Sequence, residues 1–396
     1  MSRPRLLVVA STFPAEPGDG VPAFVRDLAL RESESFDTLV VVPRVPNAPR
    51  ETVEGAVRVR RFAYFPRRWE DLAAGAIIEN LRARPTRWLQ VPPFFLAEAW
   101  AVLRAVARFR PDVIHAHWIV PQGLVTLLVP RRVPVLLTTL GGDLYALRGA
   151  AVRRLKRAAV ARAGAVTVMN EEMRRLVVEL GAAPDRVQVV PMGADLRGLA
   201  RPAGASRSGR LLFVGRLVEK KGLAVLLDAL RSLPAQVRPS LDVVGDGPLR
   251  AQLERAAEGL DVTFRGQLGR DDLAAAYAAA DVAVFPSVVA GSGDQDGLPV
   301  ALIEAMAAGC AVVASDLPGL DEAVVAGESG VLVPSGDPRA LAGAVAELLA
   351  SEPTRRRLGD AAAERARGYS VETVGHRYRS LLTSLTSAEG RRATST

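Results

Sequence analysis

Two carboxylates eight positions apart, Asp296 and Glu304, stand out in the stretch DQDGLPVALIEAMAAGCAVVAS, residues 294–315, which is almost entirely apolar after Asp296. Asp296 precedes a Gly-Leu-Pro turn, and Glu304 follows eight positions later, inside a predicted helix that opens at Pro299 and stops at Gly309. A carboxylate buried there without a partner is unfavourable, so Glu304 is predicted to meet a cation or the hydroxyls of a sugar or ribose. A surface-facing Glu304, or one paired with an arginine of a neighbouring helix, explains the pattern equally well.

Two cations follow a predicted strand in RLLFVGRLVEKKG, residues 210–222. Arg216 comes directly after the strand, and Lys221 lies five positions later, where a helix opens. A guanidinium can bind phosphate through two parallel hydrogen bonds, and an ammonium acts as a mobile point charge, so the pair suits a diphosphate. Capping of a helix, or simple solvation of the loop, is the alternative.

A pair of histidines, His115 and His117, ends the predicted strand PDVIHAHW. Side chains two positions apart share one face of a strand, so alternation does not separate the two. His117 lies nearer the carboxyl end, where ligands of α/β sheets gather, and is preferred for that reason. A packed structural histidine is the ordinary alternative. With three histidines and one cysteine the chain shows no zinc-ligand spacing, so no metal is expected.

The sequence lacks the signature motifs of several enzyme classes. The chain contains no Gly-x-Ser-x-Gly elbow and no P-loop, and no dinucleotide fingerprint follows its first strand, which argues against a nicotinamide enzyme. The formal charge is +8, but the basic residues are dispersed and aromatic residues make up only 5%, so no nucleic-acid partner is expected. One dense basic cluster, Arg153, Arg154, Lys156 and Arg157, is interpreted as a solvated helix face, with a lipid or acidic-substrate contact as the alternative.

The compartment is predicted from what the composition lacks. The apolar run LLVVA near the N-terminus is too short for a signal-peptide core, and no run approaches the length of a transmembrane helix. The single cysteine, Cys310, lies in apolar surroundings and is interpreted as a core residue. A reducing cytoplasm is therefore the expected location.

The elements that must position these residues alternate between strands and helices. Two runs of apolar strands and helices are separated by RGLARPAGASRSG, a stretch without periodicity that is typical of a linker. Continuous rather than alternating hydrophobicity favours parallel strands covered on both faces. The sequence thus predicts an α/β protein with two doubly wound domains facing one another, and ligands at the carboxyl ends of the strands.

The predicted boundaries are 1–196 for the N-terminal domain, 197–209 for the linker, 210–368 for the second domain, 369–387 for a C-terminal helix and 388–396 for a tail.

The motifs together resemble those of the retaining glycosyltransferases of family 4. The resemblance rests on FVGRLVEKKG, VGDGP, VTFRGQL, ADVAVFPS and DGLPVALIEAMAAGCAVVASDLPGLDEAV in the second half, and more loosely on GDGVPAFVRDLA and PDVIHAHWIVPQG in the first. It implies the GT-B architecture of two Rossmann-like domains across a cleft, with the C-terminal helix crossing back to the N-terminal domain. The second domain would then bind the sugar donor.

The resemblance also implies a role for each matching residue. Arg216 and Lys221 would bind the diphosphate of a nucleotide-sugar donor, and Glu304 the ribose hydroxyls. Asp296, at a position where family members carry glutamate, would contact the donor hexose with a side chain that is one methylene shorter. The remaining implied donor contacts are the backbone at Gly297 and Leu298, the loop of Gly18, Asp19 and Gly20, and the side chain of His117, which would face the donor sugar.

The expected function is transfer of a hexose-type sugar, with retention and without metal or cofactor, to a glycan, a lipid-linked molecule or a small molecule. Leu140 replaces a histidine common in the family and indicates an unusual acceptor side. An epimerase or phosphorylase-like enzyme of the same fold, or a non-catalytic sugar-nucleotide-binding subunit, is the alternative.

Residues 62–100, rich in Arg, Trp and Phe, suit either a lipid-linked acceptor at the inner face of a membrane or a covering helical hairpin with ordinary core aromatics.

Overall fold

The computed structural model describes residues 3–15, 23–46, 48–73, 77, 80–81, 84–145, 149–201 and 210–387. These residues form two compact units. The first unit contains the described residues up to Met169, those from Met173 to Met192 and those from Val374 onward. The second contains Asn170–Glu172 and the described residues from Gly193 to Thr373.

The first unit is built on an eight-stranded sheet with the order β3-β4-β2-β1-β5-β6-β7-β8. All neighbouring strands run parallel except β3, which pairs with β4 in the antiparallel sense. The strands are β1 (Arg5–Val9), β2 (Asp37–Pro43), β3 (Glu51–Glu54), β4 (Val57–Phe62), β5 (Val113–His117), β6 (Val135–Thr138), β7 (Ala165–Val168) and β8 (Val187–Val189).

Helices cover this sheet and connect its parallel strands. They are α1 (Phe24–Glu32), α2 (Val91–Phe109), α3 (Gly142–Tyr145), α4 (Ala150–Arg162) and α5 (Glu171–Glu179). The central strands β1 and β5 are buried along nearly their whole length, which explains the apolar run Leu6–Val9 of β1 and leaves the two histidines of β5 inside the core. Cys310 belongs to the other unit, where it is buried as expected.

The second unit contains a six-stranded, fully parallel sheet with the order β11-β10-β9-β12-β13-β14. The strands are β9 (Leu211–Val214), β10 (Leu241–Val244), β11 (Val262–Gly266), β12 (Val282–Phe285), β13 (Ala311–Ser315) and β14 (Val331–Val333). The helices are α6 (Leu223–Ser232), α7 (Arg250–Ala256), α8 (Arg270–Ala279), α9 (Val300–Ala307), α10 (Leu320–Ala323), α11 (Pro338–Ala350) and α12 (Glu352–Ala366). They are followed by α13 (Val371–Thr386), which belongs to this unit only as far as Thr373.

Successive residues of β9 point into two different apolar clusters. Leu211 and Phe213 belong to one cluster and Leu212 to the other, and β12 alternates in the same way. A strand buried on both faces must be apolar at every position, so the pattern read from the sequence follows from the two helical layers. Two doubly wound parallel sheets confirm the predicted fold class.

The end of the chain returns to the first unit. From Val374 onward, α13 belongs to that unit, and Tyr378 is buried in its core and donates a hydrogen bond to the carbonyl of Val190 at 2.9 Å. Within the predicted linker, Leu199 is buried in the second unit, whereas residues 202–209 lie outside the described part of the chain, as does the predicted tail 388–396.

Candidate active site

The second sheet changes winding direction between β9 and β12. These two strands are neighbours, with β10 beyond one and β13 beyond the other. Their connections leave toward opposite faces, so a crevice forms at their carboxyl ends. The loop after β9 carries Arg216 and Lys221, and the segment after β12 carries Asp296. The topology therefore places these three charged residues at the same edge of the sheet.

Gly222 allows the backbones of these two loops to approach each other closely. Gly222 has a φ of +68°, and a Cβ built on it would lie 1.7 Å from the carbonyl oxygen of Pro286. Any other residue would clash with backbone there and would adopt an unfavourable left-handed conformation. The amide of Val288 also donates to the carbonyl of Lys220 at 2.9 Å. The short 3-10 helix Glu219–Lys221 is thus held against the end of β12.

Two lysines and two aspartates form an ionic network in this position. The Lys221 Nζ lies 2.7 Å from Asp296 Oδ2, and the Lys220 Nζ lies 3.6 Å from Asp296 Oδ1 and 3.1 Å from Asp294 Oδ2. Burial acts to raise the pKa of Asp296, but the charges and hydrogen bonds of Lys221 and Lys220 outweigh it, so the pKa is lowered. Asp296 is therefore a carboxylate at neutral pH, although only 10% of its side chain is exposed.

The sequence-based prediction included only two of the four residues of this network, Lys221 and Asp296. Lys220 and Asp294 received no role, although the doublet Lys-Lys and the pair of acids in Asp-Gln-Asp were visible signals. Arg216 occupies the same loop as Lys221 and is exposed. The stem of Lys221 passes over Gly215, where an added Cβ would lie 3.5 Å from the lysine Cδ.

Glu304 is half-buried on α9 and has a partner that the sequence did not suggest. The phenol of Tyr277 on α8 lies 3.0 Å from Glu304 Oε2 and 3.3 Å from the carbonyl of Ala301, and can donate to either. Burial, followed by the negative charge of Glu304, raises the pKa of Tyr277 well above its usual range. The phenol of Tyr277 is thus a hydroxyl partner of Glu304 that comes from the protein itself. The helix begins at Val300, one residue after the predicted start.

The backbone before α9 is fixed by neighbouring groups. The side-chain amide of Asn170 donates to the carbonyl of Gly297 at 3.0 Å and to that of Pro318 at 3.2 Å. Gly319 has a φ of +94°, and a Cβ on it would lie 1.8 Å from the Gly297 oxygen. Gly297 is buried and Leu298 is half-buried, so the turn after Asp296 is a packed structure with little freedom to change shape.

The structure of the first unit distinguishes His115 from His117, between which the sequence pattern alone could not decide. His115 contacts Glu32 Oε1 through Nδ1 at 2.7 Å and Thr138 Oγ1 through Nε2 at 2.8 Å, and is a satisfied core residue. His117 is equally buried, but neither of its ring nitrogens has a hydrogen-bond partner among the described residues. Burial lowers the pKa of His115 to about 3 and that of His117 well below its usual value, so both rings are neutral.

Next to these histidines, β1 and β5 form the switch point of the first sheet. Gln122 donates from Nε2 to Ser11 Oγ and to Glu98 Oε1, at 2.7 Å in both cases. Burial raises the pKa of Glu98 to about 8, although the bond from Gln122 partly offsets it. Sequence reasoning assigned no role to this cluster. Gly18, Asp19 and Gly20 lie outside the described residues, and Leu140 packs half-buried against the core of this unit.

The basic cluster on α4 is mixed in character. Arg153, Arg154 and Arg157 are exposed, but Lys156 is only 3% exposed, and its Nζ donates to the carbonyl of Leu144 at 3.0 Å. The interpretation as a solvated face is therefore wrong for Lys156, whose spacing places it on the inner side of the helix. Among the described residues, no three His, Cys, Asp or Glu side chains form a group that could hold a metal ion.

Two doubly wound parallel sheets, one of them with a lysine–carboxylate network at its switch point, define a protein of the GT-B class. The family models "Glycosyl transferase 4-like domain" and "Glycosyl transferases group 1" match residues 19–193 and 208–351. The chain is 33% identical over 342 residues to the D-inositol 3-phosphate glycosyltransferase of Geodermatophilus obscurus, covering 75% of this chain and 73% of that protein. The chain belongs to the group 1 glycosyltransferases, as the resemblance predicted.

Solved structures agree on the fold. Sucrose-phosphate synthase from Thermosynechococcus elongatus has a TM-score of 0.79 at 23% identity, covering 97% of this chain and 99% of that one. Anabaena HepE in complex with UDP-glucose has a TM-score of 0.69 at 18% identity, covering 96% and 100%. Several curated relatives are matched over less than half of their own length, between 42% and 45%.

Proposed function

We propose that this chain transfers a hexose-type sugar from a nucleoside-diphosphate donor to an acceptor hydroxyl. The observation that carries the proposal is the contact of 2.7 Å between Lys221 and Asp296 at the switch point of the second sheet. A diphosphate needs a cation and the adjoining hexose needs a hydrogen-bond acceptor, and the two must lie side by side. This pair supplies both, and the exposed Arg216 on the same loop adds a second positive group.

Glu304 is proposed to accept hydrogen bonds from the ribose of the donor. Its carboxylate is half-buried at the second turn of α9, and two oxygens provide about four acceptor sites, more than one phenol can occupy. HepE, which shares the fold, was solved with UDP-glucose, and this supports a nucleotide sugar as the donor class here. The base and the sugar are left open by the proposal.

The proposed reaction keeps the configuration at the anomeric carbon. The bond from that carbon to the β-phosphate oxygen breaks, the acceptor oxygen bonds to the same face, and the acceptor proton passes to the leaving phosphate. Lys221 and Arg216 stabilise the charge that develops on the phosphate, which is why no metal is required in the proposal. His117, a neutral ring with two unpartnered nitrogens, is proposed to bond to the donor sugar.

The first experiment is a thermal-shift screen of nucleotide sugars, because a ligand present at 100 times its Kd stabilises the native state by about 2.7 kcal/mol. Arg216→Ala and Lys221→Ala are expected to abolish the shift. Arg356→Ala, which removes a surface arginine whose side chain is 66% exposed, should leave the shift intact. A full shift in both loop variants would refute the diphosphate assignment.

The second experiment tests the reaction itself with the stabilising donor. Transfer to a panel of polyol, glycan and lipid-linked acceptors is followed by mass spectrometry, and the product configuration is read from the anomeric proton by NMR. Activity should survive EDTA. An inverted product would overturn retention, loss of activity with EDTA would overturn metal independence, and donor binding without transfer to any acceptor would favour a non-catalytic subunit.

A further inference from the structure

The long helix α2 exposes an apolar face to solvent. Its exposed positions include Pro92, Leu96, Trp100, Leu103 and Ala107, spaced by three or four residues and therefore on one side of the helix. Trp100 is 63% exposed and Leu96 is 72% exposed. The opposite side of α2 packs into the core of the first unit. Both sides of this helix are therefore apolar, and packing within the unit explains only one.

The apolar face continues into the turn before the helix. Trp88 is 60% exposed and Leu89 is 73% exposed, both on the 3-10 helix Pro85–Gln90. Of the twelve large apolar side chains that are exposed among the described residues, five lie between residues 88 and 103. We call these five the apolar stripe: Trp88, Leu89, Leu96, Trp100 and Leu103. Such a concentration on a surface marks a contact with something other than water.

The charged residues of the segment that carries the stripe are mostly basic. Residues 84–110 contain five arginines and a single acidic residue, Glu98, which is fully buried. Arg104 lies with its guanidinium 5.0 Å from the centre of the Trp100 ring, and Arg108 is exposed one helical turn further on. Arg87 is paired with Asp71 at 2.6 Å and is partly neutralised. The exposed face of this segment is therefore apolar and cationic.

We propose that the apolar stripe binds the surface of an anionic lipid membrane. Tryptophan and leucine bury their apolar parts at the boundary between headgroups and acyl chains, while arginines remain at the level of the lipid phosphates. A protein partner would have to bring acidic groups to match the arginines, whereas an anionic bilayer presents them across its whole surface. No described helix is long and apolar enough to cross a bilayer, so the contact is peripheral.

Vesicle binding of the full chain tests this inference without any donor or acceptor, so its outcome is independent of the proposed function. Sedimentation with equimolar phosphatidylcholine and phosphatidylglycerol vesicles should show binding that weakens at high salt, and pure phosphatidylcholine should bind far less. The triple variant Trp88→Ser/Leu96→Ser/Trp100→Ser should lose at least about tenfold in partitioning. Arg104→Glu/Arg108→Glu should lose at least about 25-fold, at about fivefold for each arginine removed, because the added glutamates are also repelled by anionic lipid.

Matched variants separate the stripe from general surface effects. Val53→Ser/Val237→Ser removes two equally exposed apolar side chains elsewhere, and Arg153→Glu/Arg154→Glu reverses two exposed arginines on α4. Both should bind within about twofold of the wild type. Melting temperatures of the variants that replace apolar side chains should be unchanged, since every one of those side chains is exposed.

Fluorescence gives a second readout. Brominated lipids should quench the wild type, and Trp88→Phe/Trp100→Phe should still bind while losing most of the quenching. Absence of vesicle binding, or equal binding by the triple serine variant, would overturn the inference. A wild-type dimer that the triple variant dissociates would also overturn it, because the stripe would then be a self-association surface.

Discussion

The switch points of the two sheets occupy the same position in the fold but have opposite electrostatic character. At β1 and β5 of the first unit the polar side chains are fully buried and neutral, with pKa values shifted toward the uncharged form. At β9 and β12 of the second unit they lie on loops, keep contact with water and remain charged. The degree of burial decides which outcome applies, because burial penalises charge.

The difference indicates that the two networks serve different purposes, ligand binding in the second unit and packing in the first. A charged, partly exposed network can exchange its internal partners for those of a ligand at modest cost, since water already competes for the same groups. A buried neutral network cannot, and mainly specifies the packing around it. His117 does not follow this rule, because its ring is buried and lacks the partners that its neighbour has.

The sharpest test compares adjacent lysines of the charged network. Lys221→Met is expected to lower kcat/KM by about 1000-fold, the upper range for loss of one preorganised charge contact. Lys220→Met should lower it by about tenfold, since Lys220 acts through Asp294 and Asp296. Steady-state kinetics with the donor varied measure both. Equal losses would show that the network as a whole, rather than a phosphate contact of Lys221, is required.

The neutral network is tested through its buried acid. The pKa of Glu98 in the folded state is raised from 4.5 to about 8, so folding retains a proton that the unfolded chain releases. Stability should therefore fall as the pH rises from about 4.5 to about 8 and change little above that. Glu98→Gln removes this dependence and should be more stable than the wild type by about 4 kcal/mol at pH 8.

Urea unfolding at pH 4.5 and pH 8 provides this measurement, and the two proteins should converge at the lower pH. A constant difference between them across the range would mean that Glu98 is not the titrating group.

The histidine pair tests whether a buried group can nonetheless act in catalysis. His117→Ala should lower kcat/KM by about 100-fold, within the range for a lost polar contact in a transition state. His115→Ala should act on stability, at about 3 kcal/mol, because Glu32 and Thr138 lose their partner in the core. Kinetics and urea unfolding of both variants are needed. A His117 variant with full activity would make this ring a packing residue like its neighbour.

The smallest effect is expected at the phenol beside Glu304. Tyr277→Phe removes one donor to the carboxylate and should change the donor Kd by about threefold or less, because the ribose would supply hydroxyls in its place. Glu304→Gln, with the same shape, should weaken donor binding by about tenfold. Isothermal titration separates the two. A larger effect from Tyr277→Phe would assign Glu304 to the structure of α8 and α9 instead of the ligand.

Much of the fold was predictable because local signals carried it. Unbroken apolar strands such as 211–214 and 282–285 predict parallel sheets, and the restart of the alternation after residue 209 predicts a second domain. The residues of the candidate site were also visible, since Arg216, Lys221, Asp296 and Glu304 interrupt apolar or glycine-rich segments. Their internal partners were not, because Asp294 with Lys220 and Tyr277 with Glu304 meet only when separate loops and helices pack.

The sequence by itself determined the class of fold, the family and the positions of the polar residues at strand ends, because periodicity and motif spacing depend on neighbours along the chain. The tertiary structure decided which of the two histidines on β5 has hydrogen-bond partners, which lysine of a doublet lies nearer to Asp296, and that the tryptophans of α2 and the turn before it face outward. Those outcomes depend on solvent access and on distant partners, and both are set by how the elements pack together.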